Sequence, residues 1–248
     1  MATLEDLRGE IDQIDARMHE LLIRRVEIGR EVAAAKAGAS GPNLRPGREA
    51  QIMRRLAQRN RDPLSIASVA RIWREILSAN LNQQIAVKAS VFAPDVAIRD
   101  LALEYCGTAS TIEPAVSAEA AVAAVADGTA QIAILPGIER GTARRWWPLL
   151  LGDAPGKPRI LARLPFFTAP AGDADALIIG PQEPEPSGDD VTLFAIAGSG
   201  ASDEGRAIDE WNDGGRHWRL VEVDGFVDHP TDESERYRLG AYATQSAL

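Results

Sequence analysis

A segment spanning residues 4–36 limits most strongly how this chain can fold. It contains no proline and no cluster of turn residues, and its apolar side chains recur at heptad spacing in two rows. Such spacing over this length predicts one long α-helix that buries an apolar seam against other helices. The first row comprises Leu4, Ile11, Met18 and Val32, and the second comprises Leu7, Ile14, Leu21 and Ile28.

Arg25 interrupts the first of these rows, at the heptad position between Met18 and Val32. A guanidinium on a buried seam must pair with a carboxylate or bind an anionic ligand. Lys36 follows close to three helical turns later, so it shares a face with Arg25 at roughly 16 Å along the axis. The two cations therefore predict a site for a small anion between them.

The length of the predicted helix favours a second subunit. The helix would extend over roughly 50 Å, which is more than a chain of this size can cover by itself. We therefore expect a symmetric homodimer of intertwined helices. Arg8 lies roughly 25 Å from Arg25 along the same helix, so it could reach the anion only at the site of the partner chain.

Boundary signals define three helices in the first third of the chain. Thr3 followed by Asp6 is the pattern of a capping box, and the first helix should end near Gly38. A short second helix is expected over residues 46–60. A long third helix is expected over residues 62–88, whose first two residues would be an N-cap aspartate and a proline at the first helical position.

Polar side chains of the second and third helices complete the candidate site. Arg48 and Glu49 begin the second helix, whereas Asn80 and Gln84 are four residues apart on the third and would share one face. Together with the cations of the first helix, they suit a small dianion that also carries neutral oxygens. Each of them alone would more often lie on a solvated helix face, so the prediction rests on their joint pattern.

The charge of the chain is unevenly distributed. Residues 1–90 contain 15 Lys and Arg against 11 Asp and Glu, whereas the remainder contains 12 against 25. The basic excess is small, mixed with acidic residues and free of interleaved aromatic residues, which argues against nucleic-acid binding. A basic excess in residues 1–90 and an acidic excess in the remainder predict two domains with different partners.

Disulfides, metal sites and membrane segments are not expected. Cys106 is the single cysteine and follows an apolar run, so we expect it to be buried. The three histidines show no ligand spacing, and we expect no bound metal. The N-terminal residues lack an apolar leader and no run approaches transmembrane length, so we expect a cytoplasmic protein without a membrane partner.

Residues 89–248 predict a mixed domain of the α/β or α+β class, following an all-helical domain over residues 1–88. Strands alternate with helices, and the turns between them are rich in Pro, Gly and Asp. The predicted helices span residues 95–105 and 117–126, and the predicted strands span residues 90–94, 131–136, 159–167, 177–179, 191–197 and 218–223.

Short motifs in the helical part occur in a fixed order. The pattern L-R-x-x-I-D-x-I-D is found at residues 7–15 and L-L-x-x-R at residues 21–25, and Lys36 closes the first helix. The pattern R-E-x-x-I/L follows at residues 48–52, and Gln84 stands near the end of the third helix. Together these motifs resemble the all-helical class of chorismate mutase, and the resemblance covers about residues 4–88.

This resemblance implies the Claisen rearrangement of chorismate to prephenate, a step of aromatic amino-acid biosynthesis. The reaction is unimolecular, so the enzyme holds a chair-like conformer and stabilises the charge that develops on the ether oxygen. Arg25, together with Arg8 donated by the other chain of the dimer, would bind the two carboxylates.

The resemblance also implies the roles of the remaining residues. Lys36 and Gln84 would donate hydrogen bonds to the ether oxygen. Glu49 would accept a hydrogen bond from the ring hydroxyl, and Arg48 would hold the hydrogen-bond network of the site. The family requires neither a metal nor an organic cofactor.

Two positions depart from the pattern of the family. Arg45 stands where some members carry an aspartate, and Asn80 stands where some carry a serine. Both are plausible substrate contacts. The departures therefore concern affinity and substrate detail, not the reaction.

Three segments of the second half carry a fainter resemblance. Residues 134–141 are similar to the P-I-E-N-S-x-x-G segment of prephenate dehydratase, and residues 223–227 and 239–243 are similar to the close of its ACT regulatory domain. The T-R-F motif of the dehydratase is absent, because residues 176–180 stand where it would fall. We interpret this half as a degenerate, non-catalytic relative with a regulatory or interaction role, and an ordinary structural domain stays open.

Several functions stay open at the level of sequence. The first is a chorismate mutase with an accessory domain. The second is a bifunctional mutase and dehydratase, against which the missing T-R-F motif argues. The third is a regulatory or partner-binding subunit without activity, against which the intact candidate residues argue. A lyase acting on isochorismate shares the helical fold and is not excluded.

Overall fold

A computed structural model describes the chain over residues 2–36, 43–138, 145–168, 174–198, 205–228 and 235–247. Within these ranges, three helices are followed by a nine-stranded sheet with two further helices, and two short strands form a separate ladder. The predicted order of an all-helical part and then a mixed α/β part is confirmed. No helix in the described ranges is long and apolar enough to cross a membrane.

The first helix, α1, spans Leu4–Lys36, as its heptad pattern predicts. The capping box at its start is formed, because the Asp6 amide donates to Thr3 Oγ1 at 3.1 Å and the Thr3 amide donates to Asp6 Oδ2 at 2.8 Å. These reciprocal bonds satisfy amides that no helical carbonyl can reach. The predicted end near Gly38 lies outside the described residues.

Much of the apolar seam of α1 is exposed in the single chain. Leu4, Ile11 and Leu21 are 65%, 56% and 62% exposed, and other members of both apolar rows are exposed as well. Apolar surface in contact with water costs about 25 cal/mol per Å² relative to its burial. An exposed apolar stripe of this length is typical of an interaction surface.

Helices α2 and α3 span Pro46–Arg59 and Ile66–Asn82. The start of α2 agrees with the prediction, whereas the predicted N-cap of α3 at Asp62 is wrong. Ser65 is the N-cap, because its hydroxyl accepts a hydrogen bond from the Ser68 amide at 3.2 Å. The helix therefore begins after the proline that was expected to open it.

Helix α3 also ends well before its predicted end. The Asn82 side chain accepts from the Val87 amide at 3.1 Å and donates to the Ser78 carbonyl at 3.0 Å, which holds the chain in a turn leading to the first strand. Gln84 therefore lies after the helix. The predicted stacking of Asn80 and Gln84 on one helical face is wrong for this reason.

The second part of the chain forms a mixed sheet with two crossover helices, α4 at Val96–Cys106 and α5 at Ala118–Ala126. The strands are β1 Lys88–Val91, β2 Thr111–Pro114, β3 Ile132–Pro136, β4 Arg159–Leu164, β5 Phe167–Thr168, β6 Ala176–Gly180, β7 Asp190–Ala197, β8 Arg206–Asp213, β9 Arg216–Asp224, β10 Arg236–Ala243 and β11 Ser246–Ala247.

The main sheet joins a parallel unit to an antiparallel one. Its strand order is β2-β1-β3-β6-β4-β10-β7-β9-β8, and β11 pairs separately with β5. Strand β1 pairs in parallel with β2 and with β3, as crossover helices require. The remaining neighbours pair antiparallel, apart from a parallel contact of β4 with β10.

Four strands are absent from the prediction, for three different reasons. Strands β2 and β8 form the edges of the sheet, where exposed polar side chains hide the alternation of a half-buried strand. Strand β11 has only two residues. Strand β10 contains Gly240, where an added Cβ would lie 2.1 Å from the Ile160 carbonyl oxygen. Only glycine permits this close approach, and glycine weakens the strand signal.

Apolar side chains cover both faces of the sheet. Helix α5 and Trp147 belong to the core on one face, and helix α4 belongs to the core on the other. Cys106 of α4 is 2% exposed, as predicted. Burial raises the pKa of its thiol to about 11, so the thiol stays protonated near neutral pH.

Helix α2 is bonded directly to the sheet part. Arg54 Nη1 donates to Ser187 Oγ at 2.9 Å, and Arg54 Nη2 donates to the Asp189 carbonyl at 2.6 Å. Arg45 Nε donates to the Glu185 carboxylate at 2.9 Å. The described contacts therefore join α2 to the sheet body, whereas α1 packs mainly against α3.

Candidate active site

The junction of α1 and α3 is the place where two candidate side chains meet. Gly29 of α1 is buried there, and a Cβ at this position would lie 1.9 Å from Asn80 Oδ1 of α3. The missing side chain therefore lets Asn80 reach the surface of α1. Arg25 lies one helical turn before Gly29, on the same face, and is half-buried.

Both polar side chains of this junction have an atom without a partner. Arg25 Nη1 and Asn80 Oδ1 are buried and form no hydrogen bond with the described part of the chain. An unpaired buried polar atom costs about 1–3 kcal/mol, and more when the group is charged. Burial also lowers the pKa of Arg25. A ligand offering an anionic acceptor to Arg25 and a donor to Asn80 would remove both penalties.

The neighbouring arginines of α1 are already engaged. Arg24 Nη1 donates to Glu31 Oε1 at 2.7 Å, and Arg30 Nε donates to Gln83 Oε1 at 3.0 Å. Of these three arginines, only Arg25 has no hydrogen bond or ion pair within the described residues. Arg25 is therefore the cation of this stretch that can meet an external anion without first breaking another contact.

The two ends of α1 hold the other predicted cations. Arg8 is exposed near the N-terminus, so the single chain does not bring it to Arg25, which lies roughly 25 Å away along the axis. Lys36 is the last residue of α1, and its side chain lies outside the described part of the structure. The roles of both residues stay predictions.

Glu49 of α2 lies in a different environment, between α2, α3 and α4. Arg74 Nη1 donates to Glu49 Oε2 at 2.9 Å, and the Tyr105 hydroxyl donates to the same oxygen at 3.4 Å. The carboxylate and guanidinium side chains are 14% and 15% exposed, so the ion pair is buried. The Arg74 guanidinium also lies 4.4 Å from the centroid of the Tyr105 ring.

These contacts set the charge state of the cluster. Burial alone would lower the pKa of Arg74, but the Glu49 carboxylate raises it overall. Burial, together with the nearby Glu49 carboxylate, raises the pKa of Tyr105 well above its ordinary value. Arg74 therefore stays cationic and Tyr105 keeps its proton, so both remain donors to Glu49.

The structure separates the remaining predicted residues from the α1–α3 junction. Arg48 is rotated about 100° from Glu49 on the helix, and it is exposed and donates at 3.1 Å to a glutamine of the same helix. Gln84 is partly exposed in the turn after α3. In the described contacts, neither these residues nor Glu49 meet Arg25.

Arg74 and Tyr105 are not among the residues predicted from sequence. A signal for Arg74 exists, because it lies three residues before the buried Leu77 and therefore interrupts the apolar face of α3 as Arg25 interrupts that of α1. Tyr105 is 56 residues from Glu49 along the chain. Only the docking of α4 beside α3 brings the two together, and no local pattern indicates that contact.

The part of the chain that forms α1, α2 and α3 is similar to a known protein family. Residues 7–85 match the family model described as chorismate mutase type II. The matched segment contains the candidate residues of all three helices. The resemblance carried by the short motifs is therefore confirmed for the helical part.

The relatives of the chain are longer proteins. The bifunctional chorismate mutase/prephenate dehydratase of Pseudomonas aeruginosa is 30% identical over 145 residues, which cover 56% of this chain and 40% of the relative. The protein of the same name from Stutzerimonas stutzeri is 28% identical over 146 residues, with coverages of 56% and 40%. The chain thus spans about two fifths of the length of these relatives. Both alignments are longer than the helical part, so they extend into the sheet part.

One solved structure is also similar to a part of the chain. The structure of prephenate dehydratase from Arthrobacter aurescens in complex with L-Phe is similar to 64% of this chain and 90% of that chain, at 14% identity and a TM-score of 0.46. Of the segment compared with P-I-E-N-S-x-x-G, residues 139–141 lie outside the described residues. Residues 176–180, which replace the T-R-F motif, form the fully buried strand β6.

Replacing Arg74 by methionine is expected to lower the free energy of unfolding by about 3 kcal/mol, because the Glu49 carboxylate would stay buried without its cation. The double variant Glu49→Gln/Arg74→Met also removes the carboxylate charge, so it should recover most of the lost free energy of unfolding. The measurement is urea denaturation followed by circular dichroism.

The matched control for this experiment is Arg55→Met. Arg55 lies exposed on α2 and has no recorded contact within the described residues, so its replacement should change stability by no more than about 0.5 kcal/mol. If Arg74→Met changed the stability as little as this control does, the Glu49–Arg74 pair would not stabilise the packing of α2 against α3.

Proposed function

We propose that the protein catalyses the Claisen rearrangement of chorismate to prephenate. The observation that carries the proposal is the α1–α3 junction, where the unpaired atoms of Arg25 and Asn80 lie inside the segment matched by the mutase family model. Chorismate offers two carboxylates to cations, and a carboxylate is the kind of partner that the unpaired Arg25 guanidinium lacks.

The proposed catalysis depends on positioning and electrostatics, without a covalent intermediate. Holding the substrate in its chair-like conformer places the reacting carbons near each other, and donors aimed at the ether oxygen stabilise its charge as the C–O bond breaks. We assign the carboxylate contacts to Arg25 and the partner's Arg8. We assign the donors to the ether oxygen to Lys36 and Gln84.

Glu49 is the proposed acceptor for the ring hydroxyl. Both of its contacts fall on Oε2, so Oε1 has no recorded hydrogen bond among the described residues and can accept one from a substrate. Arg74 and Tyr105 would act through Glu49 by fixing its position. Arg48 would hold the hydrogen-bond network near the substrate.

A homodimer would complete this site. The exposed apolar side chains extend along the half of α1 that carries Arg8. A second α1, packed antiparallel along the same seam, would bury these side chains and bring the partner's Arg8 towards Arg25. The exposed seam and the position of Arg8 thus support the same arrangement.

Other functions are distinguishable by their products. The names of the relatives favour a bifunctional mutase and dehydratase, whereas the absence of a T-R-F motif at residues 176–180, which form the buried strand β6, argues against it. A subunit without activity would leave the intact candidate residues unexplained. A lyase acting on isochorismate would release pyruvate.

Incubation of the full chain with chorismate is expected to yield prephenate without phenylpyruvate. Chorismate loss would be followed by absorbance, and prephenate, phenylpyruvate and pyruvate would be quantified separately by mass spectrometry, with isochorismate as a parallel substrate. Phenylpyruvate would replace the proposal by the bifunctional one. Unchanged chorismate would favour the subunit without activity.

Substitution of Lys36 by alanine is expected to lower kcat by roughly 10²–10³-fold, because a donor to the developing oxyanion is lost. The fold and oligomeric state should be unchanged by circular dichroism and gel filtration. Lys157→Ala, in a loop of the sheet part, is the control and should turn over normally. Near-normal turnover by the Lys36 variant would refute the assignment of this donor.

Mixed dimers test whether Arg8 acts across the subunit interface. Chains carrying Arg8→Ala or Arg25→Ala should each lose activity, whereas purified mixed dimers should have about half of the wild-type activity, since each has one intact site of two. Activity would be measured on dimers purified through two different affinity tags. No recovery in the mixed dimers would mean that Arg8 does not serve the partner's site.

A further inference from the structure

The turn between α3 and β1 is held from two sides. It contains Gln84, the proposed donor to the ether oxygen of the substrate. On the side of α1, Arg30 Nε donates to Gln83 Oε1 at 3.0 Å. At the far end of the turn, the Val87 amide donates to Asn82 Oδ1 at 3.1 Å. The chain is therefore fixed both before and after Gln84.

The side-chain amide of Asn82 is in turn oriented by the loop between α4 and β2. Asn82 Nδ2 donates to Ser110 Oγ at 2.9 Å and to the Ser78 carbonyl at 3.0 Å. Ser110 Oγ donates to the Cys106 carbonyl, at the end of α4, at 2.8 Å. Because the Ser110 hydrogen is used on Cys106, its oxygen is left to accept from Asn82. A chain of hydrogen bonds thus runs from the sheet part to the turn.

The α4–β2 loop is itself fixed against α3. Glu75 Oε2 of α3 accepts from the amide and the hydroxyl of Thr108, at 3.1 and 3.0 Å. Gly107 has a φ of 62°, and a Cβ at this position would lie 2.9 Å from the Cβ of Ser78. The glycine therefore lets the loop approach α3 closely. The loop is a support that moves together with the end of α3.

The side chain of Gln84 has no such support of its own. Its amide has no hydrogen-bond partner among the described residues, so it can donate to a ligand, but its direction depends on the backbone that carries it. A catalytic group that is misplaced by about 1 Å can lose on the order of 10²-fold in rate. We propose that Ser110 of the sheet part is a positioning residue for the mutase reaction, which acts through Asn82 on the turn that carries Gln84.

This inference rests on the proposed function and gives the sheet part a role in it. Ser110→Ala is expected to lower kcat for chorismate at least about fivefold, because Gln84 loses its aim. KM should change less than about twofold, since the carboxylate contacts assigned to Arg25 and Arg8 are kept. Steady-state kinetics on the full chain measure both constants, and circular dichroism checks the fold.

The matched control is Thr129→Ala. Thr129 Oγ1 follows α5 as Ser110 follows α4, and it donates to the Ala124 carbonyl at 3.1 Å. Its other acceptor is Asp127 Oδ1, so neither of its acceptors belongs to α3. The control loses the same kind of hydrogen bond at a helix end, and its kcat and KM should equal those of the wild type.

A double-mutant cycle shows whether Ser110 acts through Gln84. Gln84→Ala alone should lower kcat by about 10²-fold, and Gln84→Ala/Ser110→Ala should lower it by no more than about twofold beyond that. Asn82→Asp keeps the acceptor for the Val87 amide but loses the donor to Ser110, so it should show the same dependence on Gln84. This second variant keeps the test decisive even where Ser110→Ala does not fold.

The outcomes separate the inference from the function on which it rests. Additive losses in the cycle, or wild-type kcat in Ser110→Ala or Gln84→Ala, would overturn the inference and leave the mutase activity standing. An equal loss of kcat in Thr129→Ala would also overturn it, because the effect would then be one of general destabilisation. A wild-type chain that does not convert chorismate would overturn the proposed function, and the positioning role with it.

Discussion

The buried Glu49–Arg74 ion pair is the interaction that holds α2 against α3, next to the sheet part. Burying either charge alone would be costly, so α2 and α3 must stay in register for the two groups to compensate each other. Tyr105 adds α4 to this contact, because its ring lies against the Arg74 guanidinium and its hydroxyl donates to Glu49. One small cluster therefore fixes the relative position of three helices.

The helical part is divided into a fixed portion and a projecting one. Helices α2 and α3 are held by the sheet part, whereas α1 meets α3 at the Gly29–Asn80 contact and exposes much of its apolar seam. The proposed substrate contacts follow the same division, because Arg25 lies where α1 is held and Arg8 lies where it projects. In the proposed homodimer, completion of the site and coverage of the seam would be two results of one association.

Local rules predict the features of this chain that local interactions determine. The capping box at Thr3, the length of α1 and the buried Cys106 follow from neighbouring residues and are confirmed. The end of α3 is different, because Asn82 closes the helix by bonds to a turn that only the tertiary structure defines. Strand β10 contains Gly240, because β4 approaches its backbone too closely for a side chain. A glycine inside the strand weakens the sequence pattern by which a strand is predicted.

The candidate site follows the same rule. Arg25 is identified because a cation interrupts an apolar row, and Arg74 would be identified by the same test applied to α3. Tyr105 carries no such signal, since its contact with Glu49 spans 56 residues of chain. The sequence predicts which side chains carry charge into the core. It does not predict that Glu49 and Arg25 lie in separate surroundings, because that depends on how α2 docks on the sheet.

The hydrogen bonds of Arg54 connect the helical part to the sheet part. This side chain of α2 donates to Ser187 and to the carbonyls of Asp189 and Thr244, which all belong to the second half of the chain. A fragment ending after residue 88 would leave these donors without acceptors and would uncover the face of α3 that now meets α4. We therefore expect α2 and α3 to depend on the sheet part for their stability, so gene rearrangements that separate the two parts would be expected to destabilise this protein.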